Sequence, residues 1–97
     1  MTSFQVATSE ARAKAVRIDG EALSVDLIDG RTILVPLGWY PRLWHGSDAE
    51  RRQFELLDDG SYIHWPALDE DLAVGDLLAG RRSAESPSSL KRWLARR

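Results

Sequence analysis

At 97 residues, with 43% apolar and 29% charged positions, the chain has room for one globular domain and the composition of neither a disordered nor a membrane protein. It contains no cysteine, which excludes disulfides, thiol nucleophiles and thiolate metal sites and leaves packing to hold the fold. The net charge of −2 conceals an asymmetry: residues 1–80 hold seven basic and fourteen acidic groups, whereas residues 81–97 hold six basic groups and one acid, Glu85.

An acidic body with a basic tail predicts an anionic partner for the tail, or docking of the tail on the body of the same or another subunit. The opening segment, residues 1–14, lacks the apolar stretch of a signal peptide. No apolar run approaches the roughly 20 residues that span a bilayer, so a cytoplasmic location without membrane contact is expected.

Three Asp-Gly pairs, Asp19-Gly20, Asp29-Gly30 and Asp59-Gly60, each separate segments of strand-like composition and supply the positive φ that tight reversals need. Ala15 to Ile18 alternates, and a short loop at Asp19-Gly20 sets Val16 and Ile18 on one face. For Leu23 to Ile28 and Arg31 to Val35, a two-residue turn pairs Val25 with Leu34. Leu23, Val25, Leu27 and Leu34 then form the core face, while Ile28, Ile33 and Val35 fall on the opposite face and need a cover. A three-stranded meander follows.

Pro36, Gly38 and Pro41 argue against regular structure through Trp39 to Trp44. Ser47-Asp48-Ala49-Glu50 has the capping-box pattern that opens a short helix. Phe54 to Leu57 and Ser61 to Trp65, around Asp58-Asp59-Gly60, read as a second hairpin that Pro66 ends. Asp69-Glu70-Asp71 precedes Leu72, Val74, Leu77 and Leu78, which predicts a helix over Val74 to Ala79 with Asp71 and Asp69 at its positive end and Gly80 stopping it. Residues 81–85 read as a linker. Ser86-Pro87 then opens a C-terminal helix whose apolar stripe is Leu90, Trp93 and Leu94, with Lys91, Arg92, Arg96 and Arg97 on its remaining surface.

The predicted fold is therefore α+β: a small antiparallel or mixed sheet, made of a β-meander plus a hairpin, with two or three short helices, the last one basic. Residues 1–80 form the core domain, and residues 81–97 form the linker and amphipathic helix.

The order and spacing of Leu27-Ile28-Asp29-Gly30-Arg31, Val35-Pro36-Leu37, Trp39-Tyr40-Pro41-Arg42-Leu43 and Ile63-His64-Trp65-Pro66-Ala67-Leu68-Asp69-Glu70-Asp71-Leu72 resemble the bacterial domain of unknown function 2442 family over roughly residues 12–80. The resemblance implies a small α+β fold and no established enzymatic activity. Some relatives of that family place the domain before a helix-turn-helix DNA-binding domain. Others are encoded beside a second small protein in what looks like a toxin–antitoxin pair. In this chain the tail after Gly80 has room for one short helix only, so that DNA-binding module is not expected.

No Ser–His–Asp arrangement, phosphate loop or other cofactor motif is present, so no cofactor is expected. His64, with His45 and Asp69 or Asp71, is the one candidate metal or small-enzyme centre, and its spacing matches no compact metal motif. Helix capping is the simpler role for the two aspartates. The informative groups are Trp39, Tyr40, Arg42 and Trp44 in the aromatic loop and Lys91, Arg92, Trp93, Arg96 and Arg97 in the last helix, since Trp, Tyr and Arg recur in binding hot spots. Trp39 and Trp65 are expected in the core, whereas Tyr40, Arg42 and Trp44 are expected to be open. The sequence thus predicts a non-enzymatic module that binds a small partner protein or itself, and alternatively a nucleic-acid accessory protein that uses the basic tail.

Overall fold

The computed structural model describes residues 11–97; most of the segment read above for a leader, residues 1–10, lies outside the described residues. Strands β1 (Ala13–Asp19), β2 (Ala22–Leu27) and β3 (Thr32–Pro36) form an antiparallel meander in that order. Asp19 pairs with Ala22 across Gly20-Glu21, where Gly20 takes φ 60°. Val16 thereby meets Val25 and Ile18 meets Leu23, on the face the sequence indicated.

The second reversal corrects the predicted register by one residue. Val25 pairs with Ile33 and Leu23 with Val35, while Leu34 lies opposite Ser24 and is 68% exposed. The cause is the loop. Leu27 and Arg31 close a three-residue connection in which the Gly30 amide donates to the Leu27 carbonyl and Gly30 adopts φ 98°, a turn followed by a left-handed glycine. Because side chains alternate, the added loop residue exchanges the two faces of β3. On the outer face, expected to need a cover, Leu34 stands exposed beside a polar network in which Arg17 binds Asp26 with both terminal guanidinium nitrogens and also reaches Ser24, and Thr32 donates to Asp26.

Beyond Pro36 the chain is more regular than its prolines and glycine suggested. A 3-10 turn over Leu37–Trp39 leads into a one-turn helix, α1 (Pro41–Trp44), whose proline occupies the first position, where its missing N–H costs nothing. Helix α2 (Asp48–Arg52) opens on the predicted capping box, with Ser47 accepting from the Glu50 amide and the Glu50 carboxylate accepting from the Ser47 amide. Arg51 reaches back to the carbonyls of Leu43 and Trp44 and satisfies the open end of α1.

A second antiparallel sheet contains β4 (Glu55–Leu57), β5 (Tyr62–Trp65) and β6 (Glu70–Ala73), in that order. Its first reversal uses Asp58, Asp59 and Gly60, all at positive φ. Strand β6 corrects the sequence reading. Asp69-Glu70-Asp71 does not cap a helix: α3 (Val74–Leu78) begins from Ala73 with no side-chain cap, and Glu70 and Asp71 sit in the ladder opposite Trp65 and His64. Gly80 does end α3, at φ 77°, with Gly80 donating to Leu77 and Arg81 to Asp76. Helix α4 (Pro87–Ala95) starts at Ser86, whose hydroxyl accepts from the Ser89 amide.

One core joins all of this. Leu23, Val25 and Leu27 of the first sheet, Ile63, Trp65 and Leu72 of the second, Leu37 and Leu43 beside α1, Val74 and Leu77 of α3, and Trp93 of α4 belong to a single buried cluster. Trp65 is wholly buried, packs a tilted ring against Phe54 and donates its indole N–H to the Arg51 carbonyl. No helix among the described residues is long and apolar enough to cross a membrane.

Candidate functional site

The two segments singled out in the sequence meet in space, and Arg42 is where they meet. Its guanidinium, carried on α1, donates from Nε and Nη2 to both carboxylate oxygens of Glu85, at 2.6 and 2.7 Å, and from Nη1 to the Asp69 carbonyl at 2.9 Å. The same plane lies 5.2 Å from the centre of the Trp93 ring. Such a planar fork suits a carboxylate and an aromatic face together, which a lysine does not. Only 13% of the Arg42 side chain and 9% of the Glu85 side chain are exposed, so the expectation of an open Arg42 is corrected. The pairing holds the Glu85 carboxyl below its ordinary range.

Tyr40 is likewise buried rather than open. Its hydroxyl donates to the Arg81 carbonyl at 2.6 Å, and burial pushes the phenol upward. Trp39 is half-buried beneath the Arg82 guanidinium, 4.6 Å from its ring centre, and its carbonyl accepts from the Ser83 amide. Residues 81–85 are thus a strap bound to the aromatic loop. Trp93 is buried between Arg42 and Arg97, and Arg97 binds Glu50 of α2 with both terminal nitrogens. Glu50 consequently titrates at about 2, held down first by Arg97 and then by the Ser47 amide.

Trp44, Lys91, Arg92 and Arg96 remain exposed, as does Leu94. Of the residues expected to bind partners, Tyr40, Arg42, Trp93 and Arg97 are thus engaged within the chain, Trp39 is partly covered, and the other four face solvent.

Between the strap and β6 lies an open groove of about 530 Å³, walled by Tyr40, Arg42, Glu70, Asp76, Arg81 and Glu85. Glu70 stands on the inner side of β6 opposite Trp65, and its carboxylate accepts from the Asp71 amide. Burial is the main force on it, and the carboxyl is pushed up to about 7. The sequence reading overlooked Glu70 and Glu85 as structural groups. Glu85 had a signal, being the one acid in a tail with six cations. For Glu70 the signal was its period-two spacing with Leu72, which the flanking aspartates disguised as a helix start.

The histidine cluster comes together only in part. His64 Nδ1 lies 2.5 Å from Asp71 Oδ1 on the outer face of the second sheet, with Glu55 opposite His64 on the neighbouring strand. Asp69 turns toward Arg42 instead, and the His45 carbonyl is approached by Arg97. Among the described residues no group of three His, Asp or Glu side chains is placed to hold a metal ion.

These features define a small two-sheet α+β domain onto which a C-terminal helix folds back. The chain belongs to the family described as "Protein of unknown function (DUF2442)", which it matches over residues 13–83, so α4 lies beyond the matched region. A crystal structure of a protein of unknown function from Rhodospirillum rubrum is similar, with 33% identity and a TM-score of 0.69 over 78% of this chain and 94% of that one. The solution structure of an uncharacterized protein from Chromobacterium violaceum shares the fold at 18% identity, with a TM-score of 0.65 over 88% of this chain and 74% of that one. No curated protein matches.

Proposed function

We propose that the chain is a non-enzymatic protein-interaction module, the antitoxin-like or regulatory member of a bacterial two-gene pair. It binds a small partner protein through Trp44 and the outward face of α4. The observation that carries this reading is the docked helix. Trp93, Arg97 and the strap fix α4 on the body, and Leu94 stays 37% exposed among Lys91, Arg92 and Arg96, with Trp44 44% exposed beside the His45 carbonyl that Arg97 approaches. An aromatic and cationic surface already docked in place binds at lower entropic cost than a free tail. The tail's own ion pairs use Arg81, Glu85 and Arg97, and Arg82 lies over Trp39, which leaves Lys91, Arg92 and Arg96 to a partner's acidic groups.

Co-expression with the product of the neighbouring open reading frame tests the reading. Co-purification at micromolar concentration is expected, reduced tenfold or more by Trp44→Ala combined with Arg92→Glu; its absence counts against the proposal.

The same exposed cations favour a second reading, a nucleic-acid accessory protein. Binding would then fall steeply with salt, by a slope of roughly 0.9 per neutralised phosphate on duplex DNA, and would vanish when residues 81–97 are removed. A flat salt dependence rules it out.

A further inference from the structure

We infer that ionisation of Glu70 loosens the C-terminal segment 81–97 from the body by competing with Glu85 for Arg42. The inference stands on the arrangement around the groove. Arg42 joins α1, the turn before β6, the strap and the ring of Trp93. Its partner Glu85 is in turn bound by Ser89 of the first turn of α4, at 2.6 Å, so any loss of the Arg42–Glu85 contact is felt directly at the helix.

Glu70 lines the same groove and, among the described residues, forms no ion pair; its carboxylate accepts from the backbone amide of Asp71. When neutral it leaves Arg42 to Glu85. When charged it attracts Arg42 and repels Glu85, and each effect weakens the strap.

The other charged groups around the groove are Arg42 from α1, Asp69 and Asp71 beside Glu70, Asp76 from α3, and Arg81, Arg82 and Glu85 from the strap, with the Tyr40 hydroxyl above them. Burial against the groove wall, reinforced by the charges of Glu85 and Asp71, resists a further negative charge more than Arg42 and the Asp71 amide favour it, so the proton is retained toward neutrality. The groove is open to water, and proton exchange needs no rearrangement. The His64 ring lies on the opposite side of the sheet, where Asp71 binds it.

The test needs no partner and so stands or falls separately from the proposed interaction face. The Trp93 indole N–H and the Leu90 methyl groups are followed by NMR from about pH 5.5 to 8.5, with both histidine rings tracked as internal controls. In the native chain the tail signals should titrate with a midpoint near 7. Hydrogen-exchange protection of α4, corrected for intrinsic rates, should fall by roughly tenfold across the range. In Glu70→Gln the signals should hold their low-pH positions, with Leu23 and Val25 methyls reporting an intact core. In Glu85→Gln the tail should be loosened at every pH without a step near 7. A tail that titrates identically in Glu70→Gln, or that does not move in the native chain, overturns the inference.

Discussion

Gly60 shows how much one residue carries in so small a fold. It is buried at φ 91°, and a Cβ there would run into the carbonyl oxygen of Ala13, where β1 crosses the reversal between β4 and β5. Backbone lies against backbone at this point, which leaves no flexible neighbour to yield. Gly60→Ala should therefore lower stability by about 2 kcal/mol or more, read as a reduced urea midpoint. Gly20→Ala is the control: its φ is also positive but the space around it is open, so only the conformational cost of about 1 kcal/mol is expected. Arg42 carries a different kind of weight. Removing it leaves the Glu85 carboxylate shielded from water without its cation, a loss of about 3 kcal/mol for a fixed structure. The tail is not fixed, however, and Glu85 can regain water by leaving the groove, so the cost is capped by the free energy of docking. Arg42→Ala should thus appear as rapid amide exchange confined to residues 86–97. Arg42→Lys, which keeps the charge but loses the fork and the stacking, should fall between.

At the level of elements, α4 is held by few contacts, and an isolated nine-residue helix is marginal in water. Trp93 supplies most of its buried surface. Trp93→Ala should cost about 3 kcal/mol locally, melting α4 while leaving the sheets protected, and hydrogen exchange resolved along the chain separates that result from global unfolding. Helix α2 depends on its cap: Ser47→Ala removes the hydroxyl that accepts from the Glu50 amide and should cost about 1 kcal/mol in the urea midpoint, while the residue-47 amide still holds the Glu50 carboxylate. The elements also show what the sequence disclosed. The Asp-Gly reversals, the shared face of Val16 and Ile18, the β4–β5 hairpin, the Ser47 cap, the Gly80 stop and the Ser86 start are all local chemistry, and each was readable. The β2–β3 register was not, because Asp29-Gly30 serves two- and three-residue loops equally well and only packing of Ile33 and Val35 chooses between them. Strand β6 was hidden because acidic residues before an apolar run favour a helix start locally, whereas pairing with β5 is a distant contact. The burial of Tyr40, Arg42 and Trp93 was hidden for the same reason: their partners Arg81, Glu85 and Arg42 lie 41, 43 and 51 residues away.

Across the whole molecule, the carboxyl groups divide into two opposing sets, and their balance predicts the pH profile of stability. Asp26, held at about 2 by Arg17 and Thr32, and Glu50, held at about 2 by Arg97, have folded values below their unfolded ones. The folded state prefers their charged forms, so their contribution is complete above the ordinary carboxylate range near 4 and is lost as pH falls toward 2. Glu85, lowered by Arg42, acts in the same direction. Glu70 does the reverse. Its folded value, about 7, lies above the ordinary 4.5, so the folded state holds the proton that the unfolded chain has already released. Stability therefore falls as pH rises from 4.5 to 7 and is level beyond. The two limbs meet near pH 4.5, which places the maximum well below neutrality. Urea midpoints at roughly pH 3, 4.5 and 8 should rise and then fall in the native chain. Glu70→Gln should remove the alkaline fall and leave the acid limb intact, while Glu50→Gln should flatten part of the acid limb and leave the fall from 4.5 to 7 unchanged. A profile that still falls between 4.5 and 7 in Glu70→Gln would show that the alkaline limb belongs to another group.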